Sequence, residues 1–133
     1  MAPLGMEVPV HIAKDLVAAS ATPLVLGILA EEDSYGYAIL KRISELSGGR
    51  LEWSDGLLYP LLHRLERLGY VESNWHSPGN GRRRKYYRIT DQGRTELATQ
   101  QAQWTTIVDT LHDAWRAAKS SGARPTSPLW ARP

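Results

Sequence analysis

The spacing of apolar side chains changes at Gly69, and that change restricts the fold more than any other feature of the chain. Before it, Leu58, Leu61, Leu62, Leu65 and Leu68 recur at the three- and four-residue intervals of one helix face, leaving Tyr59, His63, Arg64 and Arg67 outward. Ser54 is placed to cap this helix, Asp55 to sit in its first turn, and Trp53 to pack on Leu58 as a hydrophobic staple. Pro60, in the second turn, predicts a loosened helix start. After Gly69 the pattern is that of strands: YVESNW, then the turn-forming HSPGNG, then RRRKYYRI. In the second strand Tyr87 and Ile89 alternate with Tyr86 and Arg88, which keeps one face on a core.

The segments on either side complete the pattern. Residues 10–31 have helical periodicity, with Leu16, Ala19, Leu24, Ile28 and Leu29 available for one face. Pro23 makes this either a helix starting there with Thr22 as cap or a longer, bent one, and the bent helix is favoured. In DSYGYAILKRISELSGG, Ser34 can cap a second helix, Ile39, Ile43 and Leu46 form its buried stripe, and Gly48 with Gly49 supplies a left-handed stop. RLEW is expected to be a short extended piece. Thr90 can cap a last helix over residues 91–118. The order is helix, helix, short strand, helix, hairpin, helix. It predicts a mainly α fold with a small β-hairpin: a winged helix-turn-helix domain at 10–90 followed by a long C-terminal helix at 91–118. Residues 1–9 and the proline-bearing 119–133 read as disordered tails.

A chain of 133 residues is expected to hold one domain. Its net charge is only +2, yet residues 50–88 carry eight Arg/Lys against four Asp/Glu, so positive charge is concentrated there. There is no cysteine, which excludes disulfides, thiolate zinc sites and thiol catalysis. No apolar run has the length of a membrane span and no signal pattern opens the chain, so a cytoplasmic protein without membrane contact is expected. His11, His63, His76 and His112 lack metal-ligand spacing, and neither a phosphate-binding glycine loop nor a nucleophile elbow is present. Neither catalysis, nor a metal, nor a cofactor is expected.

The basic cluster Arg82, Arg83, Arg84 and Lys85 lies at the base of the glycine-rich hairpin. Taken alone it is as compatible with a solvated edge as with a DNA contact. Beside a third helix that enters a major groove, such side chains can reach the flanking phosphates. Arg64 and Glu66 are two residues apart and do not face each other on a helix, which favours a DNA role for Arg64 over an internal ion pair. A winged helix used only for docking to other proteins is the alternative, and it leaves the cluster unexplained.

Three stretches, LVLGILAEEDSYGYAILKRI, GLLYPLLHRLERLGYVES and GRRRKYYRITDQGR, resemble the PadR family of transcriptional regulators over about residues 16–115. The combination of Tyr35-Gly36-Tyr37, Leu58-Tyr59-Pro60 with Arg64-Leu65-Glu66, and Arg84-Lys85-Tyr86-Tyr87, in this order, is specific. The single short helix after the wing is similar to the family's smaller branch, which includes multidrug-sensing repressors. The resemblance implies a homodimeric repressor that binds a palindromic DNA operator and is released by a small molecule. By position, the DNA-facing set it implies is Tyr37, Lys41, Gly56, Tyr59, His63, Arg64, Arg82, Arg83, Arg84 and Lys85. Where family members often carry a threonine before the Leu-Tyr pair, this chain has Leu57, which has no hydroxyl to offer.

The last helix, about 28 residues long, makes a rod of about 42 Å, more than a small three-helix core covers. Its stripe of Leu97, Trp104, Ile107, Val108, Leu111 and Trp115 therefore needs a partner, and a second copy about a two-fold axis is the simplest. In the branch this chain resembles, a tryptophan matching Trp104 lines a pore at the dimer centre, where paired indoles can sandwich a planar aromatic or cationic effector. Leu16, Ala19 and Val108 are further candidates for that cavity. The stripe carries no cation, which argues against phenolic acids as effectors.

Overall fold

A computed structural model describes residues 11–79 and 81–120. The expected tail at 1–9 lies outside the described residues, as does that at 119–133 except for Lys119 and Ser120, which are helical. Helix α1 spans Lys14–Glu31 and is continuous through Pro23, so no new helix starts at Thr22. It begins at Lys14 rather than at residue 10: the preceding Ala13 is extended and offers no capping side chain, and Asp15 places a carboxylate in the first turn. Its buried side chains are Ala21, Val25, Leu26, Ile28 and Leu29, with Leu24 packed partly against the core. Leu16 is 57% exposed and Ala19 is exposed, so the expected stripe is wrong in its N-terminal half. The helix is apolar on most sides, and periodicity alone does not choose a face.

Ser34 does not cap α2. With Tyr35 it forms a short strand, β1 (Ser34–Tyr35), and helix α2 (Gly36–Leu46) follows directly, with Tyr35 at its cap position. Ile39 and Ile43 are buried as expected, but Leu46 is 52% exposed, because the helix ends there and the chain turns away through Gly48 and Gly49, both at positive φ. No strand forms at Arg50–Trp53; Ser47 Oγ accepts from the Leu51 amide at 2.8 Å, which commits that backbone to the loop.

Helix α3 (Asp55–Arg67) starts as expected: the Ser54 hydroxyl accepts from the Leu57 amide at 3.3 Å, and the helix continues through Pro60. Leu58, Leu62 and Leu65 are fully buried and Leu61 nearly so. Each such side chain contributes about 1.5–3 kcal/mol of hydrophobic stabilisation. Leu68 is 49% exposed, since it caps the helix where Gly69, at φ 81°, reverses the chain. Strands β2 (Val71–His76) and β3 (Arg84–Ile89) then pair antiparallel, from Val71 opposite Ile89 to His76 opposite Arg84. β1 pairs with the other edge of β3, giving the order β1-β3-β2. Tyr87 and Ile89 are buried and Arg88 is exposed, as alternation requires. Arg82 and Arg83 precede β3 and belong to the turn.

Thr90 joins the sheet to the last helix. Its hydroxyl donates to the Gly69 carbonyl at 2.6 Å and accepts from the Gly93 amide at 3.0 Å, while its own amide donates to the Tyr70 carbonyl. Helix α4 (Asp91–Ser120) follows, two residues longer than expected. By its internal contacts the chain divides at Ala98 into two units. In the first, Leu97 is 8% exposed and closes the core, so it leaves the expected free stripe. The second, from Thr99 on, has no buried residue among those described.

Candidate nucleic-acid interface

The outer face of α3 meets the hairpin and the start of α2 in a concavity of about 340 Å³. It is lined by Tyr35, Gly36 and Tyr37, by Tyr59 and His63 of α3, and by Trp75, Arg83, Arg84, Lys85 and Tyr87 of the hairpin. No carboxylate lines it. Its shape depends on Gly36: a Cβ there would come within 2.1 Å of the Tyr59 hydroxyl, so the Tyr-Gly-Tyr sequence makes room for the ring of Leu-Tyr-Pro. Tyr59 is thus a packing residue that still leaves 38% of its surface exposed, and Tyr37 projects further, at 69%.

The hairpin cations rest on aromatic rings. Arg83 lies 5.0 Å from the centroid of the Trp75 ring, Arg84 lies 4.6 Å from that of Tyr35, and Lys85 lies 5.5 Å from that of Tyr87. Tyr35 also meets Tyr86 edge-on at 5.2 Å. Among the described residues, none of the ion pairs involves Arg64, Arg67, Arg83, Arg84 or Lys85. The contrast with other arginines is clear: Arg42 is held by Glu31 at 3.0 Å, and Arg88 by its cross-strand partner Glu72. Each pairing raises the arginine's pKa, chiefly through the side-chain hydrogen bond. Burial pushes the Tyr87 phenol up, and the neighbouring Lys85 partly offsets this. Glu66, the residue closest in sequence to Arg64 on the same helix with opposite charge, accepts instead from Ser73 Oγ at 2.5 Å and ties α3 to β2.

The concavity therefore collects Tyr37, Tyr59, His63, Arg83, Arg84 and Lys85 from the ten residues anticipated for DNA contact. Gly56 and Arg64 are exposed on α3 beyond it, and Arg82 is exposed in the turn. Lys41 lies elsewhere, lining a cleft of about 250 Å³ where three carboxylates, Glu31, Glu32 and Glu45, outnumber the one other cation, Arg42. Trp75 and Tyr35 were not anticipated. The signal for Trp75 is register: counting back from the turn sets it opposite Lys85.

A positive, carboxylate-free hollow beside an exposed helix face, next to a projecting hairpin, has the form of a winged-helix nucleic-acid reader. α3 is 13 residues long, about 20 Å, and a helix of ordinary diameter fits the roughly 12 Å major groove.

Described by itself, the distal part of α4 carries Ile107 at 50%, Val108 at 39%, Leu111 at 41% and Trp115 at 61% exposure, with Trp104 half-buried. No helix among the described residues is long and apolar enough to cross a membrane.

Comparison with known proteins agrees with this class. The model of the transcriptional regulator PadR-like family matches residues 25–99, and the chain belongs to that family. A PadR family regulator from Eggerthella lenta is 35% identical, with a TM-score of 0.66 over 76% of this chain and 86% of that one. A regulator from Clostridium thermocellum gives 29% and 0.70 over 75% and 97%. An uncharacterised protein of Lysinibacillus sphaericus is 27% identical over 75% of this chain and 92% of its own length. The transcriptional regulator YqjI of Escherichia coli is 31% identical over 61% of this chain, which spans about a third of it, 33%. The family and these regulators act in transcription and are not enzymes.

Proposed function

We propose that the chain is a ligand-controlled repressor of the multidrug-sensing, short-helix kind, binding a palindromic operator as a homodimer and released by a small planar aromatic or cationic effector. The cytoplasm is where such a protein works. The observation that carries the reading is the pairing of two unsatisfied surfaces on one chain. One is the basic concavity, whose cations Arg83, Arg84 and Lys85 are in no ion pair among the described residues. The other is the apolar stripe of α4 from Ile107 to Trp115. The first suits phosphates flanking a groove. The second suits another copy of itself, and two-fold pairing supplies the two readers that an inverted repeat needs.

In this reading α3 enters the major groove, with Tyr37, Gly56, Tyr59, His63 and Arg64 toward the DNA and the hairpin cations Arg82, Arg83, Arg84 and Lys85 on the backbone. Lys41 is the weakest member of the set, given its acidic cleft. Trp104, with Val108 beside it one turn on, faces its symmetry mate and receives the effector.

The test has two arms. Selection from a random DNA pool returns an inverted repeat, and Arg64→Ala weakens that sequence more than random DNA. Trp104→Ala abolishes the quenching of indole fluorescence by a bisbenzimide dye while the dimer persists. Equal losses on both DNAs demote Arg64 to a backbone contact, and undiminished dye binding removes the central cavity.

A further inference from the structure

Trp75 lines the concavity, and the DNA-facing set leaves it unused, as it does Tyr35 and the buried Tyr87. It lies on β2 opposite Lys85, is 57% exposed, and therefore gains little from its own core. Strand alternation and ring contacts split the hairpin cations into two groups. Arg84 shares its face of β3 with Tyr86 and stacks on Tyr35. Lys85 shares the opposite face with Tyr87, and across the ladder that is the face of Trp75. Arg83 lies outside the strand, in the turn, with its guanidinium carbon 5.0 Å from the Trp75 ring centroid. No ion pair among the described residues holds it.

A long side chain in a turn samples many rotamers, and without an anchor most of them point its charge away from any given phosphate. A flat indole removes much of that freedom. Stacking occupies the face of a guanidinium and leaves its N–H edge open, and that edge is the part that grips a phosphate in bidentate fashion. Resting on the DNA-binding reading above, we propose that Trp75 is a positioning residue: its ring holds the Arg83 guanidinium flat, with the donor edge turned to a backbone phosphate beside the groove.

The proposal separates from a direct apolar contact of Trp75 with DNA through the salt dependence of binding. Each phosphate contact contributes about one unit to the slope of log affinity against log salt. Affinity of the full chain for a fluorescent duplex is measured over a salt series for wild type, Trp75→Leu, Trp75→Phe, Arg83→Gln and the Trp75→Leu/Arg83→Gln pair. Leucine keeps apolar bulk on the strand but has no ring face. Trp75→Leu removes no charge, yet it flattens the slope toward that of Arg83→Gln and weakens binding about two- to five-fold, the range of an exposed cation–π contact. Trp75→Phe restores the slope, and Trp75→Leu has no further effect once Arg83 is Gln. An unchanged slope in Trp75→Leu, or losses that add in the double variant, overturns the proposal. A wild-type protein whose DNA affinity ignores salt overturns the DNA-binding reading itself, and the proposal with it.

Discussion

The part of the chain before Ala98 and the part after it solve opposite problems. Up to Leu97 a set of apolar side chains closes a core within the chain, with Val25, Leu26, Ile39, Leu58, Leu62 and Leu65 left no exposed surface, although Leu16, Leu46, Leu68 and Trp75 stay outside it. From Thr99 to Ser120 the same kinds of residue recur at helical spacing and none is buried. Nothing in composition separates the two, since leucine, isoleucine and tryptophan occur in both. The difference lies in geometry. Three helices and a three-stranded sheet enclose a core in the first unit, whereas from Thr99 to Ser120 the second unit is one helix with no other described element of its own to cover it. The regularity of that open stripe is what supports the self-association proposed above.

Substitutions break the contrast in order of size. Ile107→Asp with Leu111→Asp, four residues apart on one face of α4, places four carboxylates in a two-fold interface and weakens self-association by at least about a thousand-fold, read by sedimentation equilibrium. The N-terminal unit keeps its helical signal, because its core is untouched; concurrent collapse of that signal contradicts the division. Leu62→Ala acts on the other side of it, lowering folding stability by about 2–5 kcal/mol in urea titration with the cavity it leaves. The smallest effect sharpens the site. A Cβ at Gly56 would meet nothing closer than Ser54 Oγ at 3.7 Å, so Gly56→Ala fits the fold and raises stability by about 0.5–1 kcal/mol, while DNA affinity falls if the helix start approaches DNA closely. Unchanged DNA affinity in this variant removes Gly56 from the interface.

The same contrast explains what could be read from the residues alone. α3 was legible because its leucines alternate with Tyr59, His63 and Arg64, which mark the outside, and because Ser54 and Gly69 mark its ends. α1 was legible as a helix but not in its orientation, since residues 21–30 are apolar almost throughout and only packing selects Val25 and Leu26. β1 was hidden by its length: Ser34 is as good a cap by type as Ser54, and only the free edge of β3 recruits it into a sheet. Leu97 looked like part of the α4 stripe because periodicity continues across the point where the core ends. In the site, the turn cations announced themselves by charge and Tyr59 by position. Lys41 has Glu45 four residues on along α2, but it did not reveal that Glu31 and Glu32, at the end of α1, join the same cleft. Trp75 required the register of a hairpin whose turn length was not known in advance.

The central claim is that the concave face formed by α3, β2 and β3 meets the phosphates of duplex DNA. Its most direct test is the affinity of the purified full chain for a labelled duplex across a range of salt, with Lys85→Ala in parallel. Log affinity is expected to fall steeply and linearly with log salt, and Lys85→Ala to reduce the slope by about one unit while weakening all sequences alike. Affinity that is absent, or indifferent to salt, or a Lys85→Ala slope equal to wild type, contradicts the claim.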